Sequence, residues 1–387
     1  MEPCDAKVAV PGLYHRQALT LPRTVSKIMR KPAARAAHAD NAFFLLRLFA
    51  AACVLCSHQM LIAGVVQPIV AGAYTLGDFG VLIFFSISGY LVAASWRRDP
   101  CVTNFALRRL LRLWPGMAAS VLIMALVVGP VVSALPMARY FNDPRLTSYL
   151  ANLVFVFRDT LPLRFPGSAA PEIVNGALWT IPLELACYAM LAALGVLGVL
   201  RRRALASLML LAAVSAYMVV ERRGEWIVAA LNIGSTAQYL IEFALFFFAG
   251  ALLEAWDVPR DRRRTRDVAA CAVLAAWIAY RAHYGVLALW LTLPVAVAWL
   301  GQRPLGSLRA LGRFGDLSYG IYLYGFPVQQ IWAAAHGRGA GWTAGLAPVV
   351  LTTVLIAMVS WRLVEQPALA RKPGARGARV DGVGPSA

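Results

Sequence analysis

Residues 43 to 62 read FFLLRLFAAACVLCSHQMLI, an apolar run in which Arg47 and His58 are the two basic side chains and no acid occurs. A helix needs roughly 20 mostly apolar residues to cross a bilayer, so this run predicts a transmembrane helix. Nine similar runs follow, at about 79–96, 114–134, 177–200, 204–220, 237–255, 268–284, 286–302, 314–335 and 344–364. The sequence therefore predicts an all-α integral membrane protein, a polytopic bundle of about ten transmembrane helices.

Composition supports this class. Of the 387 residues, 60% are hydrophobic and 14% are charged, whereas soluble domains contain about 25% charged residues. The net charge of +18 is better explained by basic cytoplasmic loops, which membrane proteins favour, than by nucleic-acid binding. Of the six cysteines, Cys53 and Cys56 alone have CxxC spacing, and both lie inside the first apolar run. Free cysteines there behave as small hydrophobic side chains, so we expect no metal site. The expected environment is a lipid bilayer.

The distribution of arginine decides the topology. An eleventh, weaker apolar stretch at 147–157 lies between Pro144 and Pro162 and is too short to span comfortably. If it does not cross, the later arginine clusters all fall on the cytoplasmic side, as the positive-inside rule requires. Those clusters are Arg97/Arg98/Arg108/Arg109/Arg112, Arg201–Arg203, Arg260/Arg262–Arg264/Arg266 and Arg303/Arg309/Arg313. We predict ten spans with both termini cytoplasmic, and an outer loop at about 135–176 with an interfacial or re-entrant piece.

The chain divides into three regions. Residues 1–40 are polar and basic without an apolar signal-peptide core, which predicts a disordered cytoplasmic extension. Residues 41–366 form the transmembrane domain. Residues 367–387 are rich in Pro, Gly and Arg, which predicts a disordered cytoplasmic tail.

Ionisable side chains inside spans are costly and mark functional sites by default. This criterion selects Arg47, His58, Glu184, Glu242 and Asp316. Arg47 and His58 are eleven residues apart, which places them on one helix face about 16 Å apart along the axis. Glu184 lies about as deep as His58, so its carboxylate could orient the imidazole and raise its basicity. Glu242 lies at a similar depth and is an alternative partner.

A second cluster, Arg108-Arg109-Leu-Leu-Arg112-Leu-Trp114-Pro115, opens the third span on the cytoplasmic side. Arg108 and Arg112 share one helix face, with Trp114 nearby, and arginine forks at a membrane edge suit phosphate recognition. The alternative explanation is topological, because any cytoplasmic loop carries arginine.

These fragments together spell a family pattern. Arg47-x10-His58 is followed by Phe84-Phe85-Ser-Ile-Ser88-Gly89-Tyr-Leu, Arg109-x2-Arg112-x2-Pro115, Leu178-Trp179-Thr180-x3-Glu184 with Tyr188, Leu317-Ser318-Tyr319-Gly-Ile-Tyr322-Leu, and Glu365-Gln-Pro367. Over about residues 41 to 367 the chain resembles the acyltransferase 3 family of bacterial membrane O-acyltransferases. The resemblance implies an enzyme of the inner membrane with ten core helices and a cytoplasmic acyl-CoA donor, most simply acetyl-CoA, that acylates a glycan or lipid-linked glycan.

The resemblance also implies residue roles. His58 would be catalytic, either by removing the acceptor's hydroxyl proton or by carrying the acyl group transiently as a covalent intermediate. Arg47 would position or stabilise charge, and Arg109 and Arg112 would contact the donor. Leu82 and Gly325 stand where many members have an acid and a histidine, which adds weight to Glu184 and Asp78 as acids near His58. The full set of candidates is His58, Arg47 and Glu184 for catalysis, Arg109, Arg112, Arg108 and Trp114 for the donor, and Asn175, Trp179 and Asp78 for the acceptor.

Two other functions fit a polytopic chain with intramembrane charges. A transporter or flippase for a glycolipid or small solute would use Arg, His and Glu as a path, although no internal repeat is visible. A non-catalytic membrane scaffold would tolerate replacement of Arg47, His58 and Arg112.

Overall fold

The computed structural model describes residues 41–223, 235–306, 308, 312, 314–337 and 341–373. The predicted extension 1–40, residues 374–387 of the predicted tail, and Arg309 and Arg313 of the last arginine cluster lie outside the described residues.

Each predicted apolar run corresponds to a long helix. Within the described residues, the helices of 17 residues or more are α1 (Phe43–Ala63), α2 (Leu76–Arg98), α3 (Val102–Ile123), α7 (Thr180–Val196), α8 (Arg203–Arg223), α9 (Ser235–Ala255), α10 (Arg262–Arg281), α11 (Gly285–Gly301), α12 (Ser318–His336) and α13 (Gly341–Ser360). The short helices are α4 (Gly129–Val132), α5 (Met137–Phe141), α6 (Pro144–Leu150) and α14 (Gln366–Ala370). The described strands, β1 (Ile69–Val70) and β2 (Tyr74–Thr75), form one small antiparallel pair.

Two of the long helices, α3 and α13, continue through π-helical turns. Met124–Val128 joins α3 to α4, and Trp361–Glu365 joins α13 to α14. In the described part of the chain, five helical segments are long and apolar enough to cross a membrane: Phe43–Ala63, Leu76–Arg98, Val102–Val132, Ala237–Ala255 and Gly341–Ala370. The fold is thus that of an all-α membrane protein, while the count of ten spans and the side of the termini stay predictions. Helix α14 extends past residue 367, where the tail was predicted to begin.

The eleventh apolar stretch does not form a long helix. Helix α6 passes into one 3-10 turn, Ala151–Val154, and the two together are far shorter than the roughly 20 residues that a span needs. The Ser133 hydroxyl donates to the Pro162 carbonyl at 2.6 Å, so the chain returns to the point where it left the end of α4. The segment between Ser133 and Pro162 is therefore a loop whose two ends meet.

This loop runs back along α3. The Tyr140 hydroxyl donates to the Ala125 carbonyl at 2.8 Å, and the Trp114 indole donates to the Leu153 carbonyl at 2.9 Å. Ala125 and Trp114 are eleven residues apart on one helix, a distance of about 16 Å along its axis. Of the two alternatives for the outer loop, a re-entrant piece fits this geometry better, and its place in the membrane stays a prediction. We call residues 133–162 the re-entrant segment.

Helices α1 and α12 lie side by side and point the same way. The Arg47 guanidinium meets Asp316, just before α12, and the His58 ring packs edge-on against Phe326 with 4.9 Å between ring centroids. Within one turn of the second contact on each helix, the Gln329 amide donates to the Leu55 carbonyl at 2.6 Å. The parallel arrangement is the one that a first and a ninth span must have, and it places both α1 candidates along one neighbouring helix.

Helices α2 and α9 approach each other through two glycines. A Cβ atom on Gly89 would lie 1.8 Å from the Phe247 carbonyl oxygen, and one on Gly250 would lie 2.3 Å from the Ser86 carbonyl oxygen. Small residues at such crossings let membrane helices pack backbone to backbone, which is a main source of helix association in lipid.

We therefore expect Gly89→Ala to destabilise the protein by at least about 1–3 kcal/mol, the cost of overpacking a tight contact. The measurement is the thermal midpoint in detergent, followed by size-exclusion chromatography. Gly312→Ala is the matched control, because its added Cβ meets nothing within 4 Å. Equal midpoints for the two variants would contradict the assigned crossing.

Candidate functional site

A polar cavity of about 870 Å³ lies between α1, α2, α3, α7 and α12. Its lining extends from basic residues at one end of the bundle to Phe84, Thr180 and Tyr322 at the other. We call the latter the closed end, because Tyr322 is bonded to Thr180 and packs against Phe84. Five of the predicted site residues line it: Arg47, Arg108, Arg109, Arg112 and Glu184. The structure therefore brings together the predicted donor arginines, Arg47 and the fourth-span acid.

One carboxylate organises two of the arginines. Asp316 accepts from Arg47 Nε at 2.9 Å and from Arg112 at 2.8 Å, both through the same oxygen, Oδ2. Its other oxygen accepts from the Ser318 hydroxyl at 2.6 Å. Because Asp316 lies at the start of α12, these bonds join three helices. Charged hydrogen bonds of this kind are stronger than neutral ones and fix the direction of both guanidinium groups.

Arg109 differs from its neighbours because no carboxylate lies within ion-pair distance of it among the described residues. Its guanidinium lies 5.7 Å from the ring centroids of both Phe105 and Tyr188. The buried Nε–H finds no acceptor within the described part of the chain. A buried guanidinium without a counter-charge is available to an anionic ligand.

Arg108 is already paired with an acid of the protein. Its guanidinium donates to the Asp99 carboxylate at 2.6 Å and to the Asp99 carbonyl at 3.3 Å. Asp99 also accepts from Asn104. Arg108 therefore fixes the turn between α2 and α3, while its edge still contributes positive charge to the cavity.

Glu184 lies in the cavity rather than against His58. Its carboxylate accepts from the Ser88 hydroxyl at 2.8 Å and from the Tyr188 hydroxyl. The alternative acid, Glu242, accepts from the Tyr74 hydroxyl. The described residues give His58 no acid partner, and the predicted pairing with Glu184 is not found because that carboxylate points along its own helix towards Tyr188.

His58 lies beyond the closed end of the cavity. The Tyr322 hydroxyl donates to the Ala177 carbonyl at 2.7 Å and is bonded to Thr180, and its ring packs edge-on against Phe84. Phe326, the residue in contact with His58, follows Tyr322 by one turn of α12, or about 6 Å. A side-chain layer one helical turn thick therefore separates the cavity from His58.

In the structure, two of the predicted contact residues are bonded to other parts of the protein. Asn175 is fully buried, and its amide donates to the Leu323 carbonyl at 2.9 Å while its oxygen accepts from the Ala177 amide. With both ends bonded inside the protein, it anchors the loop to α12 and has no free polar group for an acceptor. Trp114 binds Leu153 of the re-entrant segment and does not line the cavity.

The remaining acceptor candidates lie apart from the cavity. Trp179 packs against Tyr239 and Phe243 of α9, with ring centroids 5.0 and 5.7 Å apart. Asp78 forms a capping box with Thr75 at the start of α2, a local role that stabilises the helix N-terminus. Neither lines the cavity.

Two cavity residues were missed as site residues. Asp316 was singled out as an intramembrane acid but received no role, and Lys372 was placed in the tail. Burial, together with the positive charges of Arg112, Arg109, Arg108 and Arg47, lowers the pKa of Lys372 to about 7. The sequence did single out Lys372, because no lysine occurs between Pro32 and Arg371.

The described residues contain no group of three or more His, Cys, Asp or Glu side chains that could hold a metal ion. The cavity is instead suited to an anion: guanidinium and ammonium groups surround it, and two of its acids, Asp316 and Glu184, are already bonded.

Comparison with known proteins supplies the family. Residues 40–362 match the model of the acyltransferase domain. The chain is 26% identical over 340 residues to the O-acetyl transferase of Shigella phage Sf6, which covers 86% of this chain and 97% of that protein. It is 30% identical over 356 residues to nodulation protein 10 of Rhizobium leguminosarum bv. viciae, covering 85% and 93%.

A third relative is the exopolysaccharide production protein ExoZ of Rhizobium meliloti (strain 1021), 31% identical over 319 residues, covering 77% of this chain and 91% of that protein. No solved structure matches the chain. A family model that covers most of the chain, joined to the multi-pass helical fold and the arginine-lined cavity, leads to one conclusion. The chain belongs to the acyltransferase 3 family of membrane proteins.

Proposed function

We propose that this protein transfers an acetyl group from cytoplasmic acetyl-CoA to a hydroxyl group of a surface glycan or lipid-linked glycan, in a bacterial inner membrane. The observation that carries the proposal is the cavity, which presents unpaired positive charge at its basic end and closes one helical turn from His58. Two relatives, an O-acetyl transferase and an exopolysaccharide production protein, support the choice of acyl group and acceptor class.

The donor would bind through its phosphates. Arg109 lacks a carboxylate partner in the described structure, and Lys372 lies at the basic end near it. Arginine forks and ammonium groups bind phosphate through charged hydrogen bonds. With the phosphates held there, the pantetheine arm would run past Arg47 and bring its thioester to Thr180 and Tyr322.

His58 would act as the general base. It would take the proton from the acceptor hydroxyl while the hydroxyl oxygen attacks the thioester carbonyl, and the carbon–sulfur bond would break to release CoA as the thiolate. The proton held by the imidazolium then passes to the thiolate, so CoA leaves as the thiol and His58 is neutral again. Movement of the Tyr322 side chain would open the layer between the thioester and the imidazole, with the acceptor entering from the outer side.

The direct test of the reaction is mass spectrometry of surface polysaccharides from cells with and without the gene. We expect the loss of an acetyl-sized mass in the deletion strain and its return on complementation. An unchanged set of masses would count against the glycan acceptor. Glycolipid movement in proteoliposomes without consumption of acetyl-CoA would favour a flippase instead.

Lys372 predicts a pH dependence of donor binding. Since its pKa in the free protein is about 7, the side chain is charged below pH 7 and mostly neutral at pH 8.5. Bound phosphates favour the charged form, so binding takes up a proton and weakens by up to about tenfold per pH unit above 7. The measurement is the KM for acetyl-CoA between pH 6 and 9.

Two variants separate Lys372 from other titrating groups. Lys372→Arg stays charged throughout and should show a flat KM over this range, and Lys372→Gln should show a flat but higher KM. A wild-type slope in either variant would assign the pH dependence to another group.

A further inference from the structure

A second cleft, of about 920 Å³, lies between α10 and α11 on the surface of the bundle. Its lining residues on α10, from Arg262 to Val273, share one face of the helix, as do those on α11 from Thr292 to Trp299. Gln302 and Arg303, which also line it, follow the end of α11. Farther along α10, Ala276 and Ala279 are buried. Helix α10 packs chiefly against α11. Arg262 begins α10 and Arg303 follows the end of α11, so these arginines lie at the same end of the helix pair.

The end of the cleft that carries the arginines is positively charged. Arg262, Arg266 and Arg303 line it, and no lining residue is acidic. Within the described residues, Arg262 and Arg303 have no carboxylate within 4.0 Å, whereas Arg266 pairs with Asp267 in an exposed contact, which contributes little. The Arg303 guanidinium stacks on the Trp299 ring at 4.0 Å from its centroid.

Away from the arginines, the lining of the cleft is mainly apolar. Its walls there are small side chains, including Ala269, Ala272 and Ala296. From Arg262 to Val273 the cleft runs for about 16 Å along the helix axis. That length is close to half of a hydrocarbon core of about 30 Å, which is the depth of one leaflet.

Charge, shape and length together fit one kind of molecule. We propose that this cleft binds one anionic phospholipid of the cytoplasmic leaflet, with its headgroup phosphate between Arg262 and Arg303 and one acyl chain along the alanine-lined wall. Basic pockets between transmembrane helices are known to bind anionic headgroups on the cytoplasmic side, and tryptophan is enriched at the same depth. The cleft borders the cavity that we assign to the donor, since Gln302 lines both, but the proposal does not depend on the acetyl-transfer reaction.

The experiment measures the lipids that remain with the full-length protein after purification in mild detergent from bacterial membranes. We expect the wild type to retain phosphatidylglycerol or cardiolipin above its share in the membrane. Arg262→Ala/Arg303→Ala should reduce this retention by about tenfold or more, because each cation near the surface strengthens anionic lipid binding several-fold. Arg201→Ala/Arg202→Ala, which removes the same charge from exposed positions outside the cleft, should retain the wild-type amount.

A second variant tests the apolar part. Ala269→Trp should fill the chain-binding wall and also lower retention while the arginines stay in place. Equal retention in all variants, or retention without preference for anionic lipids, would overturn the proposal. A changed oligomeric mass without lipid loss would assign the cleft to contact between copies, and a raised KM for acetyl-CoA without lipid loss would assign it to the donor; either result also overturns the proposal.

Discussion

His58→Ala is expected to lower acetyl transfer by about 10²- to 10⁴-fold, the contribution of a positioned general base, without loss of folded protein. His58 is the basic group next to the closed end of the cavity, one turn of α12 away through Phe326. Its ring makes no hydrogen bond with the described residues, so its removal leaves no structural partner unsatisfied. The measurement is the rate of transfer of labelled acetyl groups from acetyl-CoA by purified protein.

The matched control is His336→Ala. His336 is exposed at the end of α12, where its ring stacks on Trp332 at 3.7 Å between centroids. We expect a rate within about twofold of the wild type, as for a surface substitution of less than about 0.5 kcal/mol. A His58→Ala variant that folds and transfers acetyl groups at the wild-type rate would remove His58 from the catalytic machinery.

Asp316→Asn is expected to have the second large effect, on stability and on donor binding together. Asp316 neutralises both Arg47 and Arg112 through one oxygen. Removing one partner of a buried ion pair costs about 3–5 kcal/mol, because a charge stays buried without compensation. The released guanidinium groups also lose their fixed direction, so the KM for acetyl-CoA should change in whatever protein remains folded.

The control for this prediction is Asp143→Asn. Asp143 pairs with Arg145 in the re-entrant segment, where the arginine is exposed, and exposed pairs contribute about 0–1 kcal/mol. Thermal midpoints and a double-mutant cycle between Asp316→Asn and Arg112→Gln measure the coupling directly. A coupling energy near zero would contradict the shared-carboxylate arrangement.

The sequence predicted the helices well because hydrophobic runs of about 20 residues leave few alternatives. The Arg47-x10-His58 spacing also predicted one face correctly, since both side chains contact the segment from Asp316 to Phe326. The arginines of α3 were correctly expected to gather, because an i, i+4 pair must share a face.

The interpretation of Glu184 shows where such reasoning stops. Depth along the axis can be counted from sequence, but rotation about the axis depends on neighbouring helices, and Glu184 is turned towards Ser88 and Tyr188. For the same reason Trp114 faces the re-entrant segment. Lys372 was assigned to the tail because composition indicated disorder there, whereas α14 carries the chain back to the arginines.

The central claim is that the donor enters the arginine-lined cavity from the cytoplasmic side. It is tested most directly by reconstituting the protein in sealed vesicles of one orientation, enclosing glycan acceptor, and adding labelled acetyl-CoA to one face at a time. We expect transfer only when acetyl-CoA meets the face that carries Arg109 and Lys372, with the label appearing on the acceptor at the opposite face. Two results would contradict donor entry from the cytoplasmic side: transfer when acetyl-CoA is supplied at the other face, or no transfer when it is supplied at the face with Arg109 and Lys372.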